Sequence, residues 1–304
     1  MHPLLDPTIQ TIQVRDEGLV GTLYMPATPP PWPAVLVLGG SGPGIFGFPA
    51  LMLASEGIAA LALAYFGMPG LPKDFERIPL EYFGTALGWL QRRSDVRRDA
   101  LAVAGASRGG ELALLLASTY PQIRAAISWA GSGLVYGGVV SMGAPPAAGW
   151  TREGIDIPFA SFDVSAVDMA AKPIALTPGF VAALADTARV LAAEIPVERI
   201  NGPVLLISGT DDQVWPATQL SEIAVRRLRA HRHPFAVEHL VYEGAGHVIG
   251  PPMPDYGFGM THAVHPVLGL DFAFGGTPQL NTGASHDSWA RILKFLDQTF
   301  ASGA

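Results

Sequence analysis

Short apolar runs alternate with amphipathic segments along most of the chain. The apolar runs are too brief for helices and are typical of buried strands. Strands are predicted at residues 9–15, 19–25, 34–38, 58–65, 101–104, 123–130, 203–208 and 236–242. Helices are predicted between them, at residues 49–56, 80–92, 111–120, 178–194 and 285–300. Because strands and helices alternate, the pattern predicts an α/β fold with a mainly parallel sheet flanked by helices.

One long interval interrupts this alternation. Between the strand that ends near Ala130 and the strand that starts near Pro203 lie about seventy residues, rich in Gly and Pro. We interpret residues 131–201 as a cap inserted into a single domain of residues 1–304, because long insertions beside a site commonly shape a substrate pocket. Its aromatic residues are expected to line that pocket: Tyr136, Trp150, Phe159, Phe162 and Phe180. The alternative is a surface excursion with a small core of its own. A second, smaller insertion covers residues 250–282.

Composition narrows the class of protein. The chain has 304 residues, 49% hydrophobic and 15% charged, which is enough to bury a large core. Its apolar runs fall short of membrane-spanning length, and its first residues lack the basic and apolar regions of a signal peptide. We therefore expect a cytoplasmic globule. The lack of cysteine excludes a thiol nucleophile, and the net charge of −7 argues against nucleic acid as a partner.

The motif Gly105-x-Ser107-x-Gly109 stands between a predicted strand and a predicted helix. A strand that turns sharply into a helix strains its central residue, and side chains two positions before and after it would collide. The motif therefore predicts a nucleophile elbow that lifts the Ser107 hydroxyl clear of the sheet. An ordinary turn with an N-capping serine is the alternative. The side chains of Arg108 and Glu111 are expected to form a structural ion pair at the start of the helix.

A glycine-rich segment, residues 39–44, follows the predicted strand at 34–38. No Gly-Lys-Ser/Thr follows it, and its glycine spacing is not that of a dinucleotide site, so it does not predict a cofactor. We interpret it as one side of an oxyanion hole, with the backbone N–H of Gly40 or Ser41 as one donor and that of Arg108 as the other. A purely structural turn is the alternative.

A serine nucleophile needs an adjacent base, and in this architecture its partners stand at the carboxyl ends of strands. Asp211 and Asp212 follow the strand at 203–208, and His247 follows the strand at 236–242 in a glycine-lined turn. The chain order Ser, Asp, His is that of α/β-hydrolases. Asp212 is favoured over Asp211 to orient His247, because Asp211 is better placed to brace the turn.

The other histidines near and beyond this strand are given no catalytic role. A surface position is expected for those around the preceding helix end and the strand: His231, His233 and His239. No role is assigned to those in or near the second insertion: His262, His265 and His286. A metal site built on His262 and His265 would lack a carboxylate at metal-binding spacing, so we predict no metal and no cofactor.

Four segments carry a family resemblance: residues 18–26, 105–111, 195–212 and 244–247. They resemble the C-terminal catalytic domain of the acyl-CoA thioester hydrolase and bile acid-CoA:amino acid N-acyltransferase family, with overlap to dienelactone hydrolases. The resemblance implies the α/β-hydrolase fold and a triad of Ser107, Asp212 and His247.

This chain departs from the family in two respects. Animal members carry a β-sandwich domain before the hydrolase domain, and we expect none here. The amino-acid-conjugating branch uses cysteine as nucleophile, whereas this chain has Ser107. A serine acyl-enzyme is less readily captured by an amine in competition with water, so hydrolysis is favoured over transfer.

The sequence therefore predicts a serine hydrolase that cleaves a small-molecule carboxylic ester or acyl-CoA thioester through an acyl-enzyme. The alternatives are a dienelactone-type hydrolase, an acyltransferase and, from a different class, a hydrolase-fold protein that binds without catalysis.

Overall fold

The computed structural model describes residues 8–139, 145–252 and 259–301. The start of the chain, for which no signal peptide is predicted, and short parts of both insertions lie outside these residues. The strands are β1 Gln10–Val14, β2 Val20–Met25, β3 Trp32–Leu38, β4 Ala59–Ala64, β5 Ile78–Pro79, β6 Val96–Ala106, β7 Ala125–Trp129, β8 Trp150–Arg152, β9 Ile155–Asp156, β10 Val204–Gly209, β11 Val237–Tyr242, β12 His262–Val264 and β13 Asp271–Ala273. The helices are α1 Gly47–Ser55, α2 Leu80–Arg92, α3 Arg108–Thr119, α4 Thr177–Ala183, α5 Thr187–Ala193, α6 Ala217–Ala230 and α7 Pro278–Ala301.

Eight of the strands form one sheet in the order β1-β2-β4-β3-β6-β7-β10-β11. The pairs β1–β2 and β2–β4 are antiparallel, and the strands from β4 to β11 are parallel to their neighbours. The mainly parallel sheet predicted from the apolar pattern is therefore confirmed. In the described ranges, no helix combines the length and apolar character needed to cross a membrane.

Both faces of the sheet are covered by helices. On β3, Leu36 and Leu38 face one hydrophobic cluster while Val35 and Val37 face the other, because successive side chains of a strand point to opposite faces. Helices α2, α3 and α6 pack on the first face, and α1 and α7 pack on the second. Burial on both sides explains why these strands are continuously apolar instead of alternating.

Three predicted elements differ substantially from the structure. Strand β6 begins five residues before the predicted strand, at Val96. The apolar pattern did not indicate this first half because it carries the polar run Arg97, Arg98 and Asp99. The single helix predicted at 178–194 is two helices, α4 and α5, and the Asp186 carboxylate caps α5 by accepting a hydrogen bond from the Arg189 N–H at 3.1 Å. Helix α7 begins within the second insertion, at Pro278.

The first insertion packs into the body of the domain. Strand β8 pairs with β5, which brings Trp150 opposite Ile78. The Trp150 side chain is fully buried, and its ring lies 4.8 to 6.0 Å from those of Phe75, Tyr65 and Phe83. Trp150 is therefore a core residue, which contradicts the expectation that it lines a pocket.

The two insertions also contact each other. Ile174 of the first insertion pairs with Phe272 of β13, and the Ile174 N–H donates to the Asp271 carbonyl at 2.8 Å. Their apolar side chains share a small cluster with Val167. The buried residues of the first insertion belong to clusters that also include other parts of the fold.

Candidate active site

Ser107 stands between β6 and α3, with a backbone φ of 56° and ψ of −120°. Positive φ is rare for a residue with a side chain and strains the turn. A Cβ atom on Gly105 would overlap the carbonyl of Gly109, and one on Gly109 would overlap the carbonyl of Gly39. The strained strand–helix turn with glycine on both sides is therefore confirmed. Ser107 is partly exposed.

A hydrogen bond joins the two polar residues that follow β10 and β11. His247 Nδ1 lies 2.7 Å from Asp212 Oδ2. Asp212 is only 4% exposed, and its Oδ1 accepts hydrogen bonds from the N–H groups of Val214 at 2.9 Å and Trp215 at 3.2 Å. The His247 N–H donates to the Phe274 carbonyl at 2.7 Å. A carboxylate at Nδ1 holds the ring proton there and leaves Nε2 available as a base.

Asp211, the competing carboxylate, makes different contacts. Its Oδ1 accepts from Gln213 Nε2 at 2.6 Å, and its Oδ2 accepts from the Gly276 N–H at 2.7 Å. Asp211 thus braces the turn after β10 against the segment before α7. The structure pairs His247 with Asp212.

The end of β7 lies between the loops that carry Ser107 and Asp212. The Ser107 N–H donates to the Trp129 carbonyl at 2.8 Å, and Trp215 Nε1 donates to the Ala130 carbonyl at 2.7 Å. Strands β6, β7, β10 and β11 are parallel neighbours, so the three predicted catalytic residues leave the sheet at one edge.

The glycine-rich loop after β3 passes directly beside the elbow. A Cβ atom on Gly40 would lie 3.3 Å from Ser107 Cβ and 3.8 Å from Ser107 Oγ. The Tyr65 hydroxyl shares its one proton between the carbonyls of Gly39 at 2.7 Å and Gly40 at 2.6 Å, and burial raises the pKa of Tyr65 and so keeps it a donor. Because the C=O and N–H of a trans peptide point in opposite directions, these bonds turn the N–H groups of Gly40 and Ser41 away from Tyr65.

The side chain of Arg108 is committed to structural contacts, so its backbone N–H remains the predicted donor. Its N–H belongs to the first turn of α3, where amides have no partner within the helix. Its guanidinium donates to Glu111 Oε2 at 2.7 Å and to the Tyr136 carbonyl at 2.8 Å, over the Phe75 ring. Burial raises the pKa of Glu111 and Arg108 opposes this shift, while Trp150 Nε1 donates to Glu111 Oε1 at 2.8 Å. The predicted structural ion pair is confirmed.

An aromatic group adjoins His247. The Trp215 ring centroid lies 6.3 Å from that of His247 and 5.8 Å from that of Phe180. The Phe180 ring centroid also lies 5.0 Å from that of Tyr136 and 4.7 Å from that of Phe162. Three of these aromatic residues come from the first insertion, so part of that segment packs on the Trp215 ring that contacts the candidate base.

Sequence reasoning missed three residues around this edge. Tyr65 ends a buried strand next to β3, which is a signal that could have indicated its contact with the glycine-rich loop. Trp215 stands within the predicted aspartate turn and could have been noticed as an apolar neighbour of the site. His265 was given no role, yet its Nε2 lies 3.0 Å from Ser41 Oγ.

His239 also differs from expectation. Its side chain is 9% exposed, with Nε2 2.8 Å from the hydroxyl of Ser208 and Nδ1 3.6 Å from Glu222 Oε2. Ser208 is fully buried within β10, so this serine–histidine pair is structural.

Named relatives cover almost all of the chain. Mouse (Mus musculus) acyl-coenzyme A thioesterase 1 is 30% identical over 98% of this chain and 67% of its own length. The mouse mitochondrial acyl-coenzyme A thioesterase 2 is 31% identical over 98% of this chain and 62% of its own. Mouse acyl-coenzyme A amino acid N-acyltransferase 1 is 28% identical over 95% of this chain and 65% of its own length. The chain thus spans about two thirds or less of the length of these relatives.

Solved structures at low identity share the fold. A proposed dienelactone hydrolase from Klebsiella pneumoniae superimposes with a TM-score of 0.57 at 18% identity, over 95% of this chain and 97% of that one. A dienelactone hydrolase-like promiscuous phosphotriesterase from metagenomic libraries superimposes with a TM-score of 0.56 at 17% identity, over 96% of this chain and 98% of that one. The expected α/β-hydrolase fold is therefore confirmed.

A family model described as BAAT / Acyl-CoA thioester hydrolase C terminal matches residues 78–302, which include all three predicted catalytic residues. This match agrees with the relatives named above and with the motifs that carried the resemblance. The names of the relatives also support the expectation of an esterase or thioesterase. The chain belongs to the BAAT / acyl-CoA thioester hydrolase C-terminal family and has the α/β-hydrolase fold.

Proposed function

We propose that this chain is a serine hydrolase that cleaves acyl thioesters, and related carboxylic esters, through a covalent acyl-enzyme. The observation that carries the proposal is the 2.7 Å hydrogen bond between His247 and the buried carboxylate of Asp212, at the sheet edge where the strained Ser107 elbow stands. A binding protein would have no need of strained backbone at a hydroxyl on the same sheet edge as an oriented imidazole. This juxtaposition favours catalysis over the binding-only alternative.

In the first step Ser107 Oγ bonds to the substrate carbonyl carbon as its proton passes to His247 Nε2. Asp212 holds the histidine tautomer and stabilises the imidazolium. The tetrahedral intermediate then collapses, the bond to the leaving sulfur or oxygen breaks, and His247 returns the proton to that atom. Water repeats the sequence on the acyl-enzyme and releases the carboxylic acid and the free serine.

The negative oxygen of the tetrahedral intermediate would be bound by the N–H of Arg108 and by that of Gly40 or Ser41. The position of Gly40 against Ser107 supports this role, as does the Tyr65 hydroxyl that turns the loop amides outward. Each such donor contributes on the order of 3 kcal/mol to stabilisation of the transition state.

The acyl group is proposed to lie against the aromatic group of Trp215, Phe180 and Phe162. In this proposal the cap of residues 131–201 contributes to substrate binding through Phe180 and not through Trp150. Apolar burial of about 0.8 kcal/mol per methylene corresponds to about a fourfold rise in kcat/KM for each added carbon. The names of the relatives favour a coenzyme A thioester over a simple ester.

The test compares acyl-CoA substrates of increasing length with p-nitrophenyl esters of the same acids. Because the chain contains no cysteine, a thiol-reactive dye added to the assay reacts with released coenzyme A alone. We expect thioester turnover to rise with acyl length to an optimum. Phe180→Ala should move that optimum. A length profile that is flat in both proteins would refute the proposed acyl site.

Ser107→Ala is the matched control for chemistry. It should remove turnover and labelling by a serine-directed phosphonate while circular dichroism stays unchanged, since the hydroxyl is partly exposed. Substantial turnover in this variant would refute the nucleophile assignment. An amine acceptor included in the assay distinguishes hydrolysis from transfer, because a transferase would form the amide faster than the acid.

A further inference from the structure

A histidine from the second insertion contacts the loop that carries the proposed oxyanion donors. His265 Nε2 lies 3.0 Å from Ser41 Oγ, although the two residues are 224 positions apart. A Cβ atom on Gly42 would lie 3.5 Å from Pro266 Cγ, so the loop and the insertion also touch at the next position. The serine hydrolysis chemistry proposed above does not use His265.

The hydrogen bonds of His265 define which ring nitrogen carries the proton. Nδ1 accepts from the N–H groups of Val267 and Leu268, both at 3.2 Å. An acceptor nitrogen is unprotonated, so the proton of the neutral ring lies on Nε2. Burial lowers the pKa of His265 and favours this neutral form. His265 is therefore the donor to Ser41 Oγ.

The imidazole is held firmly by its own turn. The His265 N–H donates to the Leu270 carbonyl at 2.8 Å, and the His265 carbonyl accepts from the Gly269 N–H at 2.8 Å. The ring lies 5.8 Å from that of Phe272, whose strand pairs with Ile174 of the first insertion. The donor nitrogen is thus fixed to both insertions before any substrate binds.

Ser41 is in turn held from two sides. The peptide that joins Gly40 to Ser41 is oriented by the Tyr65 hydroxyl on the Gly40 carbonyl. The Ser41 side chain is oriented by the His265 donor. With both bonds in place, the Ser41 N–H has a fixed direction. A preorganised donor requires no rearrangement during the reaction, which is the source of its catalytic effect.

We infer that His265 is a positioning residue for catalysis: its Nε2–H anchors Ser41 and so fixes the direction of the loop amide that binds the oxyanion. The inference rests on the proposed function and assigns a role to the second insertion. It predicts an effect on kcat with little effect on KM, because the loop amide binds charge that develops only in the transition state.

Two substitutions test the Nδ1 acceptor and the Nε2 donor of His265 separately. His265→Asn places an acceptor where Nδ1 stands and can keep the turn with Val267 and Leu268, but it has no donor that reaches Ser41. His265→Gln places a donor where Nε2 stands and loses the turn acceptor. We expect His265→Asn to fold normally and to lower kcat about 10- to 100-fold, with KM within about twofold. His265→Gln should keep more of kcat and lose more stability. A merely structural role predicts the reverse order of kcat.

A double-mutant cycle tests whether the effect passes through Ser41. Ser41→Ala keeps the loop N–H and removes the hydroxyl, and it should lower kcat to a similar extent. In that background His265→Asn should have no further effect. If the two losses multiply, or if His265→Asn retains wild-type kcat, the inference is wrong.

His262→Asn is the control, because His262 is in the same insertion, is largely exposed and pairs with Asp271. It should leave kcat unchanged. Failure of the proposed function and failure of the role of His265 give different results. If the proposed function is wrong, the wild-type protein neither turns over thioesters nor reacts at Ser107 with a phosphonate. If only the role of His265 is wrong, the wild-type protein does both and His265→Asn behaves like it.

Discussion

Asp212→Asn provides the sharpest test of the proposed chemistry. Asp212 Oδ2 accepts the His247 Nδ1 proton at 2.7 Å, and Oδ1 already accepts two backbone N–H groups, from Val214 and Trp215. In the asparagine variant the Oδ1 atom keeps those two amides, so the NH2 group is the one that faces His247. An NH2 group cannot accept the Nδ1 proton. His247 then shifts its proton to Nε2 and can no longer act as a base toward Ser107.

The expected loss is large because tautomer and charge stabilisation are lost together. The corresponding change in a Ser-His-Asp triad lowers kcat about 10⁴-fold, which is about 5.4 kcal/mol of activation free energy. Stability should change little, because the amides of the turn retain their acceptor.

Asp211→Asn is the matched control one position earlier. Its carboxylate accepts hydrogen bonds from Gln213 and Gly276, whereas His247 pairs with Asp212. The variant should lose about 1–3 kcal/mol of unfolding free energy, because its NH2 group cannot accept a hydrogen bond from one of these two donors. Its kcat should fall less than about tenfold, which corresponds to about 1.4 kcal/mol.

The assay is kcat for thioester cleavage by purified proteins, with urea unfolding as the measure of stability. Asp212→Asn should be the catalytically impaired variant and Asp211→Asn the less stable one. Equal catalytic losses, or a larger loss in Asp211→Asn, would refute the assignment. More than about 1% of wild-type kcat in Asp212→Asn would show that His247 does not depend on this carboxylate.

Three further predictions follow from packing and burial. Gly105→Ala forces a Cβ against the Gly109 carbonyl and should lower stability by about 1–3 kcal/mol and abolish phosphonate labelling; a wild-type labelling rate would contradict the strained elbow. Trp150→Ala should lower the unfolding free energy by about 3–5 kcal/mol and leave the acyl-length optimum unchanged. A shifted optimum would indicate that Trp150 lines the acyl pocket. Burial lowers the pKa of His239, partly offset by Glu222, so its neutral form is favoured in the fold. The unfolding free energy should therefore fall as the pH drops below about 6.5, and it should fall more in the wild type than in His239→Gln. Denaturant titrations at several pH values measure this, and an equal pH dependence of the unfolding free energy in the two proteins would contradict it.

The sequence alone determined the alternation of elements and the local chemistry of the elbow. The order of strands and helices follows from apolar runs, which report burial directly because both faces of a parallel sheet are covered. The glycines at 105 and 109 are required by sterics within five consecutive residues, so the strain at Ser107 is visible without tertiary information. The positions of Asp212 and His247 follow from the rule that such residues stand at strand ends.

Tertiary structure decided every contact that depends on the path of a long loop. Asp211 and Asp212 are adjacent and identical in type, and only the position of Gly276 and His247 around them separates their roles. Trp150 is aromatic and lies in an insertion, which suggested a pocket, but pairing of β8 with β5 carries it into the core.

The contact of His265 with Ser41 shows the same limit most clearly. Apolar periodicity describes how a segment sits on its own element, and side-chain chemistry describes what a residue can do. Neither describes which loops meet. A hydrogen bond across 224 positions exists because the sheet brings the carboxyl ends of β3 and β11 to one edge, and the second insertion, which follows β11, contacts the loop after β3. That arrangement is a property of the packed fold, since the free energy that holds it comes from clusters drawn from the whole chain.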